Sequence, residues 1–381
     1  MFKEKLAAVV FEGGIARTEI EEQMLSVRKG VAFDNMKKAL TADGIDEVIL
    51  STCYADLAEK AAAEGIRIDE TAPDGEFHFG RHLKYVTEKY GLDSVIYLGG
   101  AALPLIRPSD FEWIAHQLRY FKNVVVVNNV QSADLIAFTP ATSLDCIDLP
   151  ENDNFLGFLL REAGMRRMLI ENSARINFDI DTPMDMLILE QCRNVGPESR
   201  RALDRLNLSR DNLIRALDVI RESGRDRYAE VALIGRVSPA MMAVINANIP
   251  VRLRVFSEER GMKALRREET GEAVSLLGYF LEAVGPERFF RHLSSVADVA
   301  LVDTRVLMAH LQLALSAADR FYSDLGMMER ITDSYLREFT EAAYSAPLPV
   351  VLGGHSLVYG GLWAILDEWG LLEHDLPHLP T

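Results

Sequence analysis

Residues 7–17, AAVVFEGGIAR, decide how the first half of this chain is interpreted. The apolar run at residues 7–11 predicts a buried strand, and two glycines follow directly after Glu12. Glycines at the end of a strand let backbone N–H groups approach a phosphate, and Arg17 can complete such a cradle. A tight turn leaving the strand is an equally weighted alternative. The stretch therefore predicts an α/β domain with a candidate phosphate loop.

The alternation of short apolar runs with longer amphipathic stretches continues to about residue 195. This rhythm indicates a sheet of largely parallel strands joined by crossover helices. The predicted strands are 7–11, 47–51, 94–98, 124–127 and 135–138, with 167–171 as a further candidate. The predicted helices are 33–42, 55–64, 80–90, 108–121, 154–163 and 182–193.

A polar stretch carrying Gly196-Pro197 interrupts this pattern, and a second α/β rhythm follows it. A chain of 381 residues exceeds what one core usually serves, so two domains are expected. We predict a first domain at 1–195 and a second, smaller α/β domain at 209–381. The second domain's predicted strands are 230–234, 251–256, 299–302 and 349–352.

Composition limits the class of protein. With 49% hydrophobic and 26% charged residues the chain has a globular composition, and three widely spaced cysteines make no disulfide framework. No signal peptide and no apolar stretch of membrane-spanning length is evident, so a cytoplasmic protein without a membrane partner is predicted. The formal net charge of −16 argues against nucleic acid as a partner.

A second constellation lies at residues 177–187, NFDIDTPMDML. Asp179 and Asp181 stand two apart in an extended segment, so both side chains can face one hard cation such as Mg²⁺. The helix that follows begins with Thr182-Pro183, a favourable N-cap and first position. The alternative is that Asp181 only helps to cap this helix.

At these residues the first half resembles a known family. The glycine-rich start, LGGAALPLI at 98–106 and DIDTP at 179–183 occur in the order found in GT-A-type nucleotidyltransferases similar to molybdenum-cofactor guanylyltransferase and phospholactate guanylyltransferase. The resemblance implies a Rossmann-like mixed sheet and Mg²⁺. It also implies transfer of a nucleotidyl group from a nucleoside triphosphate to a phosphorylated small molecule, with release of pyrophosphate.

The resemblance also implies roles for particular residues. Phosphates would be contacted by Gly13, Gly14 and Arg17, with Lys29 as the nearest candidate for a second basic residue; base and ribose would lie near Gly75 and Gly80, and the metal would lie on Asp179 and Asp181. Arg17, Lys29 and Asp181 are the candidate catalytic residues.

Two departures from the family pattern define the alternatives. Ala102 stands where the family has its first metal aspartate, and Thr18–Glu22 would put three acids where phosphates crowd. A degenerate relative that binds a nucleotide or nucleotide sugar without turnover is therefore a second hypothesis. A GT-A glycosyltransferase is a third, because residues 179–181 spell Asp-x-Asp.

No family resemblance is identified for the second half, which is therefore interpreted from its residues alone. Polar clusters follow each of its predicted strands, at the edge where open α/β sheets bind ligands. We therefore predict an anion site there, and ordinary helix caps are the equally weighted alternative. The candidate residues are Arg236, Ser238, Arg260, Asp303, Arg305, Gly354, His355 and Ser356.

The remaining histidines and aromatic residues carry weaker signals. His78 with His82, and His374 with His378, are pairs without a third metal ligand, so structural or solvated roles are predicted. Phe77, Phe79 and Tyr85 are expected to pack rather than to stack on a base, and their position at a loop keeps stacking as the alternative.

Overall fold

A computed structural model describes residues 4–71, 77–130, 132–263 and 265–372 of the protein. Most of its strands form where apolar and β-branched residues run together, which is the composition that suits a buried sheet. The strands are β1 (Leu6–Glu12), β2 (Glu47–Thr52), β3 (Arg67–Glu70), β4 (Ser94–Gly99), β5 (Val124–Val127), β6 (Leu135–Thr139), β7 (Arg166–Leu169), β8 (Ala229–Gly235), β9 (Val251–Ser257), β10 (Val299–Asp303) and β11 (Val350–Gly353).

Helices fill most of the connections between these strands, as parallel pairing requires. They are α1 (Glu19–Thr41), α2 (Ala55–Ala63), α3 (Phe79–Tyr90), α4 (Pro108–Tyr120), α5 (Leu156–Glu162), α6 (Ala174–Asn177), α7 (Pro183–Gln191), α8 (Pro197–Leu203), α9 (Asp211–Glu222), α10 (Pro239–Asn248), α11 (Arg267–Thr270), α12 (Leu276–Val284), α13 (Pro286–Ser294), α14 (Thr304–His310), α15 (Ala317–Asp324), α16 (Ser334–Tyr344) and α17 (Gly360–Glu368). Among the described residues, no helix is both long enough and apolar enough to cross a membrane.

The first sheet has seven strands in the order β3-β2-β1-β4-β6-β5-β7. β6 runs antiparallel to both of its neighbours, and the other pairings are parallel. This arrangement confirms the predicted mixed sheet. β1 is buried along its whole length between β2 and β4, so the glycines that follow it leave the sheet near its middle.

The second sheet is smaller and has four parallel strands in the order β11-β10-β8-β9. It confirms the expectation of a second α/β fold after the first. Because every strand runs in the same direction, the carboxyl ends of all four strands meet at one edge.

The two sheets belong to two compact units that exchange short segments of chain. The first unit comprises Met1–Ile180 and Asn194–Arg205, and the second comprises Asp181–Arg193 and Leu206–Thr381. The chain therefore passes from one unit to the other three times. The predicted domain bounds of 1–195 and 209–381, taken as independently folding pieces, stay a prediction.

Several elements of the first unit differ from the sequence-based expectation, among them the helices α6 and α8, which were not predicted. α1 begins at Glu19 rather than at residue 33, because Ile20, Met24 and Val27 already supply a buried stripe at helical spacing. β3 was not predicted, since its sequence Arg-Ile-Asp-Glu contains no apolar run and only Asp69 is fully buried.

Candidate functional site

The glycine loop lies exposed between β1 and α1. Gly14 has a φ of 127°, a conformation that L side chains rarely adopt, and its carbonyl accepts a hydrogen bond of 2.8 Å from the Tyr54 hydroxyl. Arg17 is exposed, and its backbone N–H donates to Glu21 at 2.8 Å. Its guanidinium makes no hydrogen bond or ion pair with any residue that the structure describes. The loop is thus fixed by its neighbours while Arg17 can reach a ligand.

Lys29 lies on α1 rather than in the loop, yet Tyr54 links it to the glycines. Its ammonium group is 2.7 Å from Asp56 and 4.2 Å from the centre of the Tyr54 ring. The same ring donates its hydroxyl to Gly14. Burial raises the pKa of Tyr54 to about 12, which keeps that hydroxyl protonated as a donor.

The three acids that follow Thr18 belong to the start of α1 rather than to the loop, and the repulsion of phosphates expected from them stays a prediction. Glu19, Glu21 and Glu22 occupy the first turn of α1, where carboxylates interact favourably with the helix dipole. Glu21 accepts hydrogen bonds from the Arg17 N–H and, at 3.0 Å, from the Thr18 hydroxyl.

Glu12, the last residue of β1, places a buried carboxylate beside the glycine loop. It is 2% exposed and lies 3.2 Å from Arg28 of α1. Burial raises the pKa of Glu12 above its usual value, and the Arg28 charge opposes that rise. A Cβ at position 100 would collide with the Glu12 carboxylate, which explains Gly100. The carboxylate therefore lies against the turn after β4 that carries Ala102.

The two candidate metal ligands belong to different units. Asp179 forms an isolated antiparallel bridge with Ala102 in the first unit, whereas Asp181 belongs to the second unit, where it lies 3.8 Å from Lys263. The described residues contain no group of three or more acidic, histidine or cysteine side chains that could hold a metal. Mg²⁺ that arrives with phosphates needs only one or two carboxylates, so a metal carried by a nucleotide remains compatible with this set.

A buried polar network lies at the ends of β2 and β3. The Ser51 hydroxyl is 2.6 Å from Nε2 of His82, and Asp69 is 3.2 Å from the same nitrogen. Lys89 donates to the other oxygen of Asp69 at 2.6 Å. Burial lowers the pKa of His82, while Asp69 opposes this, so a neutral ring is favoured at neutral pH.

Aromatic rings surround His82 on its exposed side. Phe11 lies 5.0 Å and Phe77 5.5 Å from the His82 ring centre. Phe79 is buried, as predicted. Phe77 and Tyr85 are exposed instead, at 58% and 50% of their surface. Flat apolar faces of this kind suit stacking on a planar ligand.

The two glycines expected near base and ribose have different outcomes. Gly75 lies outside the described residues, as do His374 and His378. Gly80 is buried at the start of α3, its N–H donates to the Pro150 carbonyl at 2.9 Å, and a Cβ there would lie 2.9 Å from Leu149 and Pro150. Close packing therefore accounts for Gly80, and its N–H is already used within the protein.

In the second unit, two candidate arginines form buried ion pairs. Arg236 donates to Asp303 at 2.6 and 3.0 Å, and Arg305 donates to Asp324 at 2.9 and 2.6 Å. Burial pushes the pKa of Asp303 upward, but the Arg236 charge outweighs it, and the pKa lies below its usual value. Asp303 also accepts the Arg305 N–H, as the cap of α14.

The structure brings His355 to this group, with Gly354 and Ser356 on either side. The charges of Arg236, Asp303, Asp181 and Arg260 act on the His355 ring. Gly354 lies so close to Thr182 that a Cβ there would be 2.7 Å from Thr182 Cγ2. Ser238 and Ser356 are both buried, and Arg260 is partly exposed. All eight predicted residues thus lie at or directly after the carboxyl ends of β8 to β11.

Several residues of these sites were missed in the sequence. Glu12 was visible beside the glycines, and Arg28 precedes Lys29, but no local signal pairs them. Ser51 and Asp69 lie on separate strands, and Asp324 lies in a helix without any motif. Pairing across such distances is set by the sheet and helix packing rather than by sequence spacing.

No family model matches this chain, and no curated protein matches it by sequence. Solved structures similar to it include a CMP:2-keto-3-deoxy-manno-octonic acid synthetase complexed with CTP (19% identity, 44% of this chain, 90% of that chain, TM-score 0.33). Others are a cytidylyltransferase from Leptospira borgpetersenii (14%, 53%, 93%, TM-score 0.39) and a 4-diphosphocytidyl-2C-methyl-D-erythritol synthase from Anaerococcus prevotii (14%, 48%, 92%, TM-score 0.35). These similarities lie in the N-terminal half.

Proposed function

We propose that the first unit binds a nucleoside triphosphate at the loop between β1 and α1 and transfers its nucleotidyl group to a phosphorylated small molecule. One observation carries this proposal. The exposed Gly13-Gly14 loop leaves a central strand, precedes a 23-residue helix and holds Arg17 with its guanidinium uncommitted among the described residues. Backbone N–H groups of a glycine loop and a basic side chain together suit a phosphate chain.

The neighbouring residues support a nucleotide rather than a bare phosphate. Phe77, Tyr85 and the neutral His82 ring offer flat faces and a hydrogen-bonding edge, and Phe11 joins them to the end of β1. His82 Nδ1 has no hydrogen-bond partner within the described ranges, whereas Ser51 and Asp69 hold Nε2. A base stacked beside these rings would find one polar atom to read.

The basic and acidic candidate residues have different proposed roles in the transfer reaction. Arg17 neutralises phosphate charge, and Lys29 adds a second positive charge if it exchanges Asp56 for the nucleotide. Asp179 and Asp181 would hold a divalent ion that arrives with the triphosphate, and such an ion would offset the negative charge of the phosphates. An oxygen of the acceptor phosphate attacks the α-phosphorus of the triphosphate, so a new phosphoanhydride bond forms as the bond between the α- and β-phosphates breaks and pyrophosphate leaves.

A nucleotide-binding protein without turnover is the second candidate, and Ala102 favours it. Position 102 carries a methyl group opposite Asp179, so the carboxylate that the resemblance expects there is missing. Binding through the glycine loop does not depend on that carboxylate, but the transfer step does. A glycosyltransferase stays a third hypothesis, to be separated by its preference for nucleotide sugars.

Thermal stabilisation by nucleoside triphosphates, diphosphates and nucleotide sugars, each with and without Mg²⁺, tests the site. We expect one triphosphate to stabilise the protein, and Arg17→Ala to weaken its binding about 10-fold or more through the lost charged contact. Arg161→Ala is the matched control, since Arg161 is an exposed arginine of α5 in the same unit.

A pyrophosphate-release assay then separates the candidates. Turnover that Asp181→Ala abolishes supports the transferase, and binding without turnover supports the degenerate relative. If no nucleotide stabilises the protein, or if Arg17→Ala and Arg161→Ala behave alike, the assignment of the loop is wrong.

A further inference from the structure

The carboxyl edge of the second unit's sheet gathers polar groups that the nucleotide proposal does not use. β8 and β10 are neighbours in this sheet, so Arg236, which follows β8, meets Asp303 at the end of β10. The short turn His355–Val358 packs against both strands, and α17 packs against α10. The residues after β8, β10 and β11 therefore converge on one place.

Arg236 is held in position with part of its guanidinium left over. The backbone N–H, Nε and Nη2 of Arg236 donate hydrogen bonds to the Asp303 carboxylate at 3.3, 2.6 and 3.0 Å. Its side chain is nine-tenths buried, yet Nη1 has no hydrogen-bond partner in the part of the chain that the structure describes. The protein does not fully enclose Nη1, so this nitrogen is accessible to a ligand.

His355 faces the same charges with both ring nitrogens unused. No described residue forms a hydrogen bond with either nitrogen, and the ring contacts Tyr359 at 5.4 Å between centres. Burial, helped by the Arg236 charge, lowers the pKa of His355 to about 4, against the opposing charges of Asp303 and Asp181. The ring is therefore neutral at neutral pH and offers one N–H donor.

A helix N-terminus completes the set. α10 has ten residues, and its N-cap Ser238 forms no capping hydrogen bond although it is 3% exposed. Pro239, the first residue of the helix, has no N–H, and neither the Ser238 hydroxyl nor the N–H groups of Ala240 and Met241 have a hydrogen-bond partner among the described residues. Such amides carry partial positive charge and point out of the helix toward a ligand.

We propose that this edge of the second unit binds the phosphate group of a small metabolite, through Arg236, His355 and the N-terminus of α10. Guanidinium, imidazole, hydroxyl and amide donors around one place match the several oxygens of a tetrahedral anion. Arg260 adds a positive charge from the loop after β9. This proposal rests on residues of the second unit and does not depend on nucleotide binding at the glycine loop.

Titration of the full-length protein with inorganic phosphate, followed by calorimetry and by NMR of the histidine rings, tests this site. We expect saturable binding and a rise in the pKa of His355, because a bound anion favours its protonated form. His355→Ala and Arg236→Lys should each weaken phosphate binding about 10-fold, the effect of one lost hydrogen bond to a charged group. Ser238→Ala, which removes a hydroxyl without a capping bond, should weaken it less and leave the fold intact.

The controls separate this site from the first unit and from general salt effects. His292→Ala, at an exposed histidine of α13, and Arg161→Ala, at an exposed arginine of α5, should both keep the phosphate response, and the His355 ring signal separates binding at this edge from binding at the glycine loop. Acetate and chloride at equal ionic strength should not reproduce it. The proposal is overturned if phosphate gives no saturable response, if acetate gives the same one, or if Ser238→Ala and His355→Ala both bind as tightly as the parent protein.

Discussion

His355 couples the pH of the solution to the stability of the fold. Its pKa is lowered to about 4 in the fold, mainly by burial, whereas a histidine in the unfolded chain has its ordinary value near 6.5. Between these values the unfolded chain binds the additional proton, so acid favours unfolding. The stability contributed by the neutral ring is full above pH 6.5 and falls as the pH drops toward 4.

We predict that the parent protein loses about 1–3 kcal/mol of unfolding free energy relative to His355→Ala between pH 7 and pH 4, a range that follows from the shift after allowance for partial exposure. Denaturant unfolding at several pH values measures this. His292→Ala is the control, because it shows how removal of an exposed histidine changes the pH dependence of the unfolding free energy. Parallel pH profiles for the parent and His355→Ala would contradict the lowered pKa.

At the scale of elements, α1 and α8 are packed closely enough to require a glycine. A Cβ on Gly30 would lie 2.9 Å from the backbone of Ser199 and 3.0 Å from that of Glu198, and backbone atoms cannot move aside easily. Asp34, one turn further along α1, accepts hydrogen bonds from the Ser199 N–H and hydroxyl at 2.8 and 2.7 Å. The two helices are thus fixed by a close approach and a buried carboxylate.

Gly30→Ala should therefore destabilise the protein by about 1–3 kcal/mol through overpacking, although alanine favours a helix over glycine by about 1 kcal/mol. Ser26→Ala is the matched change at an exposed position of the same helix, and we expect it to be neutral or slightly stabilising. Thermal and denaturant unfolding of both variants checks this. Equal stabilities would mean that α8 can move away from α1.

Much of the element pattern could be predicted from the sequence, because buried strands such as Val124–Val127 are continuous apolar runs. The start of α1 could not be predicted in this way. Its acidic residues were interpreted as part of the loop, so the helical spacing of Ile20, Met24 and Val27 was not recognised. The sites were predicted less completely. Glycines and strand ends mark where a ligand can bind, but the pairing of Arg236 with Asp303 depends on strand order, which a single sequence does not state.

At the scale of the whole molecule, both units use the same edge of an α/β sheet for their polar residues. In the first unit, Glu12, Ser51 and Asp69 lie in or at the carboxyl ends of β1, β2 and β3. In the second, Arg236, Asp303 and His355 occupy the corresponding ends. A net charge of −16 repels anions on average, so each site must supply its own positive groups. Arg17 and Arg236 are the residues that do so.

The exchange of segments between the units predicts that no single cut yields two stable pieces. α7 belongs to the second unit, where it packs against α17 and β11 and buries most of its residues, including Met186 and Leu189. A fragment of residues 209–381 lacks α7 and should unfold at a lower temperature, with less cooperativity, than the parent chain. A synthetic peptide of residues 181–193 should restore part of the loss, whereas a scrambled peptide should not. Circular dichroism during heating measures both effects. A fragment that unfolds cooperatively and ignores the peptide would instead support the simple boundary between residues 195 and 209.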